Sequence, residues 1–230
     1  MHGAKETQKR KPKRKLVVIV VVIALILAAA AAFIVFNMGA EQRKMNALET
    51  GEFLPGIFAI NNGYVNMFLI KADAGYIAID AGANAKSVEQ GLAKLGISSG
   101  EVSAVLLTHT HGDHTAALAV FDNATVYGAK QTTGRHVLAD GETIGILGKE
   151  IKVIAAPGHA DDSVCYLVDG YVLFTGDNMS LDDNAAGLFN SVYNKSDEQQ
   201  KQDIKKLSGV SGVEYIITAH YGFTGSPVFP

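Results

Sequence analysis

The chain has 230 residues, with 20 Lys and Arg against 23 Asp and Glu, and a single cysteine, Cys165. One cysteine excludes an intrachain disulfide framework, and no Cys/His finger spacing exists. The near-neutral total hides a split: residues 1–15 hold seven basic side chains and one acid, net +6, whereas the remainder carries −9. An acidic body repels a phosphate backbone, so nucleic acid is not expected as a partner despite the basic tail.

Residues 16–36 read LVVIVVVIALILAAAAAFIVF, without a charge, a polar side chain, Pro or Gly. As a helix this run is ~31 Å long, the thickness of a bilayer's hydrocarbon core. A core helix of a soluble protein does not need to be apolar on every face. A cleaved signal has a shorter apolar stretch, whereas this one continues after the alanines through Phe33, Ile34, Val35 and Phe36. The reading is an uncleaved signal-anchor over 16–36 behind a basic cytoplasmic tail, 1–15. The positive-inside rule then puts the rest of the chain outside a cell membrane crossed once. Residues 37–52, polar and mixed in charge, read as a juxtamembrane linker, leaving one domain over 53–230.

In that domain short β-like runs come first. Residues 57–60, 65–71 and 76–79 form a meander with turns at Asn61-Asn62-Gly63 and Asp73-Ala74-Gly75. Over 85–95 Val88, Leu92 and Leu95 share a helical face. The continuous apolar run 102–107 predicts a buried strand ending at Thr108-His109, and a helix follows over 113–121. Strands recur at 124–127, 144–147 and 151–154, and a hairpin over 164–175 turns at Asp169-Gly170. Ser196 with Gln199 is a capping-box signature for a helix to 207, and 215–218 is a last strand. Two similar passes of strands and helices predict a sandwich of two sheets flanked by helices, with polar residues gathered on one edge.

Those polar residues carry the chemistry. Thr108-His109-Thr110-His111-Gly112-Asp113-His114 follows a strand directly, so alternate residues of an extended loop point His109 and His111 the same way. Gly112 then lets the chain turn and offer Asp113 and His114 as a second cluster. His159, in Ala156-Pro157-Gly158-His159, also ends an apolar strand, as do Asp177, after Phe174-Thr175-Gly176, and His220, after Thr218-Ala219. Imidazole and carboxylate suit zinc, iron or manganese, and the lack of nearby thiolates argues against a purely structural site.

THTHGDH followed by PGH, FTGD and TAH resembles the metallo-β-lactamase superfamily, and its hydrolase branch that includes glyoxalase II-like thioesterases. The resemblance covers about residues 53–225. It implies an αββα sandwich, here preceded by one transmembrane helix, and two divalent metal ions, zinc first with iron or manganese as alternatives. It places His109, His111 and His159 on a first metal, and Asp113, His114 and His220 on a second, with Asp177 bridging. It also implies a catalytic part for Asp113 and Asp177: a hydroxide bridging the metals, oriented by Asp113, attacks a small ester, thioester, lactone or amide. Asp80, in Ile79-Asp80-Ala81-Gly82, matches the family's Asp-containing turn and reads as support behind the ligands.

The β-lactamases of the superfamily usually lack a bridging Asp at the position of Asp177, so the resemblance implies a natural substrate other than a β-lactam. Only ten residues follow His220 and none is basic, unlike the helical extension that holds glutathione in glyoxalase II. Related folds with one iron oxidise sulfur, and others cleave phosphodiesters; both stand as alternatives. His136 and His2 read as ordinary histidines, Cys165 as packing, and Tyr64, Tyr193 and Tyr221 as residues able to line a cleft.

Overall fold

A computed structural model describes residues 14–42, 45–129 and 135–230. The basic tail expected over 1–15 lies almost wholly outside the described residues. The chain divides into two compact units, Met1–Arg43 and Lys44–Pro230. Among its described residues the first holds one helix, α1 (Arg14–Gln42), whose segment Val17–Phe36 is long and apolar enough to cross a membrane and has every side chain exposed.

The second unit contains two large sheets. One runs in the order β1 (Gly51–Leu54), β2 (Ile57–Asn61), β3 (Asn66–Ala72), β4 (Gly75–Ile79), β5 (Val102–Leu106), β6 (Thr125–Gly128), β7 (Arg135–Val137). The other contains β8 (Thr143–Ile146), β9 (Lys149–Ala155), β10 (Val164–Val168), β11 (Val172–Gly176), β14 (Tyr215–Thr218) and β15 (Phe223–Thr224), in the order β15-β14-β11-β10-β9-β8. A small hairpin, β12 (Ser180–Asp182) with β13 (Ala185–Gly187), stands apart.

The period-2 alternation of the strands builds the layers. Phe68 and Ile70 of β3, with Tyr166 and Val168 of β10, face the core between the sheets. Met67 and Leu69 point the other way, to α2 (Ala85–Leu95), and Cys165 and Leu167 point to α4 (Asp197–Ser208). Asn84 caps α2 by accepting from the Ser87 N–H, and Gly96, at φ 69°, ends it. Ser196 caps α4 by accepting from the Gln199 N–H. Instead of closing the box, Gln199 donates to Asp203 at 3.0 Å.

Two expectations are corrected. The linker over 37–52 is not a linker in its second part: Asn46 N–H donates to the His220 carbonyl, Leu48 N–H to Asn66 Oδ1, and β1 pairs with β2. Its last two residues, Gly51 and Glu52, begin an edge strand, which needs only one buried face. The helix over 113–121 is broken into α3 (Gly112–Thr115) and a 3-10 turn, Leu118–Phe121. The His114 carbonyl accepts from Ala81 N–H, and Ala117 N–H donates to Gly82, so the backbone bonds to the β4 turn replace those of a continuing helix. Strands β1, β7, β12, β13 and β15 have no counterpart in the periodicity reading, being short or on an edge.

Candidate metal centre

Strand direction brings the site together. β4 and β5 are parallel, as are β11 and β14, and β9 runs with β11 because both are antiparallel to β10. Asp80, His109, His159, Asp177 and His220 therefore follow the C-terminal ends of five strands on one edge. The edge is stitched across the sheets: Asn66 N–H donates to the Ala219 carbonyl and Val164 N–H to that of Thr108, both at 2.8 Å. Gly176 permits the closest approach, since a Cβ there would lie 2.5 Å from Thr108 Oγ1.

All seven residues singled out as ligands meet there. His109, His111 and His159 form one group of donor atoms within 4.8 Å of one another, and Asp113, His114 and His220 form another. His111 Nδ1 and His159 Nε2 are 3.0 Å apart. Asp177 lies between the groups with one oxygen towards each. Its Oδ2 is 3.4 Å from His159 Nε2 and 3.8 Å from His109 Nε2, while Oδ1 is 3.3 Å from His114 Nε2 and 3.2 Å from His220 Nε2. Asp113 Oδ2 stands 3.6 Å from His220 Nε2 and 3.8 Å from His114 Nε2.

The outward nitrogens of four imidazoles are held by oxygen. His114 Nδ1 is 2.8 Å from Asp80 Oδ2, His109 Nδ1 3.1 Å from Thr108 Oγ1, His159 Nδ1 3.1 Å from Asn194 Oδ1, and His220 Nδ1 2.7 Å from the Tyr64 carbonyl. Thr108 is itself fixed, donating its N–H and its hydroxyl to Asp80. A proton on each Nδ1 leaves the Nε2 lone pair facing the centre. There His109 Nε2, His114 Nε2, His220 Nε2 and Asp177 Oδ1 are buried without a hydrogen-bond partner. Such atoms are costly unless something pairs with them, and a donor set of five imidazoles and two carboxylates fits a pair of divalent cations such as zinc, iron or manganese.

The electrostatics agree. Burial, helped by the neighbouring His114, holds His109 well below the usual histidine range, and burial also lowers His159. At His114 and His220 burial opposes the charge, but Asp177 outweighs it and both are raised. At Asp177 burial would raise the carboxyl, yet His220 and His114 hold it well below the usual carboxylate range. The centre thus demands positive charge around Asp177, from protons or from cations.

The spacing of the motifs contains no sign of Asn194, Gln200 and Phe189. Gln200 is fully buried; its Nε2 donates to the Asp177 carbonyl at 3.1 Å and its Oε1 accepts from Phe189 N–H at 2.9 Å. Asn194 and Gln200 lie on a loop and helix with ordinary composition, so only the fold reveals them. His136 sits on β7 beside Tyr127, ring centroids 5.2 Å apart, outside the ligand groups. Cys165 is buried with its thiol pushed up by that burial, as packing requires. His2 lies outside the described residues.

A model of the metallo-beta-lactamase superfamily matches residues 60–130, which include His109 to His114. Among solved structures, a metallo-beta-lactamase family protein from Thermus thermophilus superposes with a TM-score of 0.60 at 19% identity, covering 75% of this chain and 76% of that one. A subclass B3 metallo-beta-lactamase from a soil metagenome library gives 0.61 at 17% identity, covering 77% and 81%. A flavoprotein from Thermotoga maritima gives 0.60 at 19% identity, covering 77% of this chain and 57% of the other. The folded unit is an α/β sandwich of the metallo-β-lactamase fold, in a chain that also carries one apolar helix ahead of it.

Proposed function

We propose that this chain is a dinuclear metal-dependent hydrolase of small carbonyl compounds, an ester, thioester, lactone or amide. The observation that carries the reading is Asp177, whose two oxygens face two separate groups of imidazoles. His109, His111 and His159 would hold one divalent cation, and Asp113, His114 and His220 the other, zinc being the first choice and iron or manganese the alternatives. Bound there, such a pair supplies an activated water and polarises a carbonyl oxygen. Asp177 fixes the separation of the two subsites. Asp113, partly exposed at the mouth, is placed to orient the attacking water and accept its proton. In the overall step the water oxygen bonds to the carbonyl carbon, the bond to the leaving oxygen, sulfur or nitrogen breaks, and that atom takes a proton.

The apolar helix supports a single-pass membrane anchor, with the basic tail in the cytoplasm and the hydrolase outside. The test of the function is metal analysis of the purified full chain combined with a panel of activated esters, thioesters and lactones. Two zinc ions per chain and hydrolysis abolished by chelation are expected. One iron per chain with no hydrolysis would overturn the reading in favour of oxygen chemistry.

A further inference from the structure

Two turns beside the metal centre carry aromatic rings. Phe189 is buried, with its ring centroid 5.0 Å from that of His159 and 5.4 Å from that of His220. The rings of Tyr221 and Tyr193 follow at 5.8 and 6.3 Å from Phe189. From the other turn Tyr64 stacks on His220, 5.7 Å between centroids and 7° between planes. Tyr64, stacked on His220, is 40% exposed, and Val192 of the 189–195 turn is 59% exposed. The one cation on the 189–195 turn, Lys195, is ion-paired to Asp161.

We propose that this wall selects a substrate whose acyl group is apolar and uncharged at its far end; the inference rests on the reading of the centre as an acyl hydrolase. A carbonyl placed at the metal ligands puts the attached chain beside Phe189, Tyr64, Tyr193 and Tyr221. Each methylene buried there favours binding about fourfold. A distal carboxylate would instead lose hydration against the ring faces, with tyrosine hydroxyls as neutral donors and a lysine that Asp161 already pairs.

The experiment uses the full chain in lipid nanodiscs, loaded with zinc, and three 4-nitrophenyl esters: acetate, hexanoate, and the half-ester of adipic acid. Hexanoate is expected to exceed acetate in kcat/KM at least ~10-fold, after correction for spontaneous hydrolysis, and to exceed the adipate by a similar factor. Phe189→Ser and Val192→Asp should each lower the hexanoate-to-acetate ratio about threefold or more, and Phe189→Leu should restore it. Binding is read separately by saturation-transfer NMR with hexanamide and with the monoamide of adipic acid. Hexanamide should receive saturation from the wild-type chain, and less from Phe189→Ser. Equal kcat/KM for acetate and hexanoate, preference for the adipate, or absence of transfer to hexanamide would overturn the proposal. A two-zinc chain that cleaves no ester yet transfers saturation to hexanamide through Phe189 would keep the apolar wall and overturn the hydrolase reading.

Discussion

Asn194 and Gln200 exchange two hydrogen bonds through their side-chain amides, Asn194 Nδ2 to Gln200 Oε1 at 2.8 Å and Gln200 Nε2 to Asn194 Oδ1 at 3.1 Å. The pair joins the two halves of the centre, because Asn194 Oδ1 also holds His159 Nδ1 and Gln200 Nε2 also holds the Asp177 carbonyl. Asn194→Ala frees the His159 ring without touching a ligand atom. Metal affinity is expected to fall ~10- to 100-fold, and a competition titration with a chromogenic chelator reads the loss. Gln200→Ala leaves buried partners unsatisfied and should in addition cost ~1–3 kcal/mol of stability, read by denaturant unfolding of the metal-free chain.

Asp177→Ala removes the carboxylate that faces both groups of ligands, so hydrolysis should drop ~100-fold or more with the fold retained. His136→Ala, at an exposed position of β7, should change activity little. Steady-state rates beside circular dichroism compare the two. Equal losses in two folded variants would contradict the ligand assignment.

Gly158 lies where a Cβ would stand 2.4 Å from both Cα and N of Gln200. Backbone cannot yield as a side-chain tip can. Gly158→Ala is therefore expected to push α4 from the turn before His159, destabilising the domain by ~1–3 kcal/mol and weakening metal binding. The midpoint of urea unfolding and the metal titration should move together.

Asp140 ties the same region from the other side. Its carboxylate accepts from Ala155 N–H at 2.8 Å and from Lys206 Nζ at 3.1 Å, and these hold its pKa below the usual carboxylate value, the backbone bond first. A depressed carboxyl contributes stability above its unfolded pKa of ~3.9, and that contribution is lost as pH falls through the folded value. Asp140→Asn should flatten the acid limb of the stability profile below about pH 4. The effect should stay under ~1 kcal/mol, because Asp140 is largely exposed and screened.

If Val17–Phe36 spans a membrane with the basic end inside, protease added to intact cells should digest the folded unit and spare the N-terminal tail. An N-terminal sequence of the mature protein starting beyond Phe33 would contradict the anchor and establish cleavage.

Much of this was written locally. The apolar run of 16–36 defines a helix long and apolar enough to cross a membrane, and the alternation in β3 and β10 divides their side chains between two cores as a period of two requires. The helix over 85–95 was legible because cap, amphipathic face and C-terminal glycine agree. His109, His111, Asp113 and His114 are neighbours in sequence, and His159, Asp177 and His220 each follow an apolar strand, so residue type and position together were enough to gather them. What only the tertiary structure decided depends on partners far apart in the chain. The break at His114 follows from a bond to Ala81, and the placing of residues 46–48 from bonds to His220 and Asn66. The nitrogen that four of the five imidazoles turn inward is set by Asp80, Thr108, Asn194 and the Tyr64 carbonyl. Long-range hydrogen bonds and ring packing leave no periodicity in a sequence, because any stretch of suitable composition could supply them once the strands have fixed where it lies.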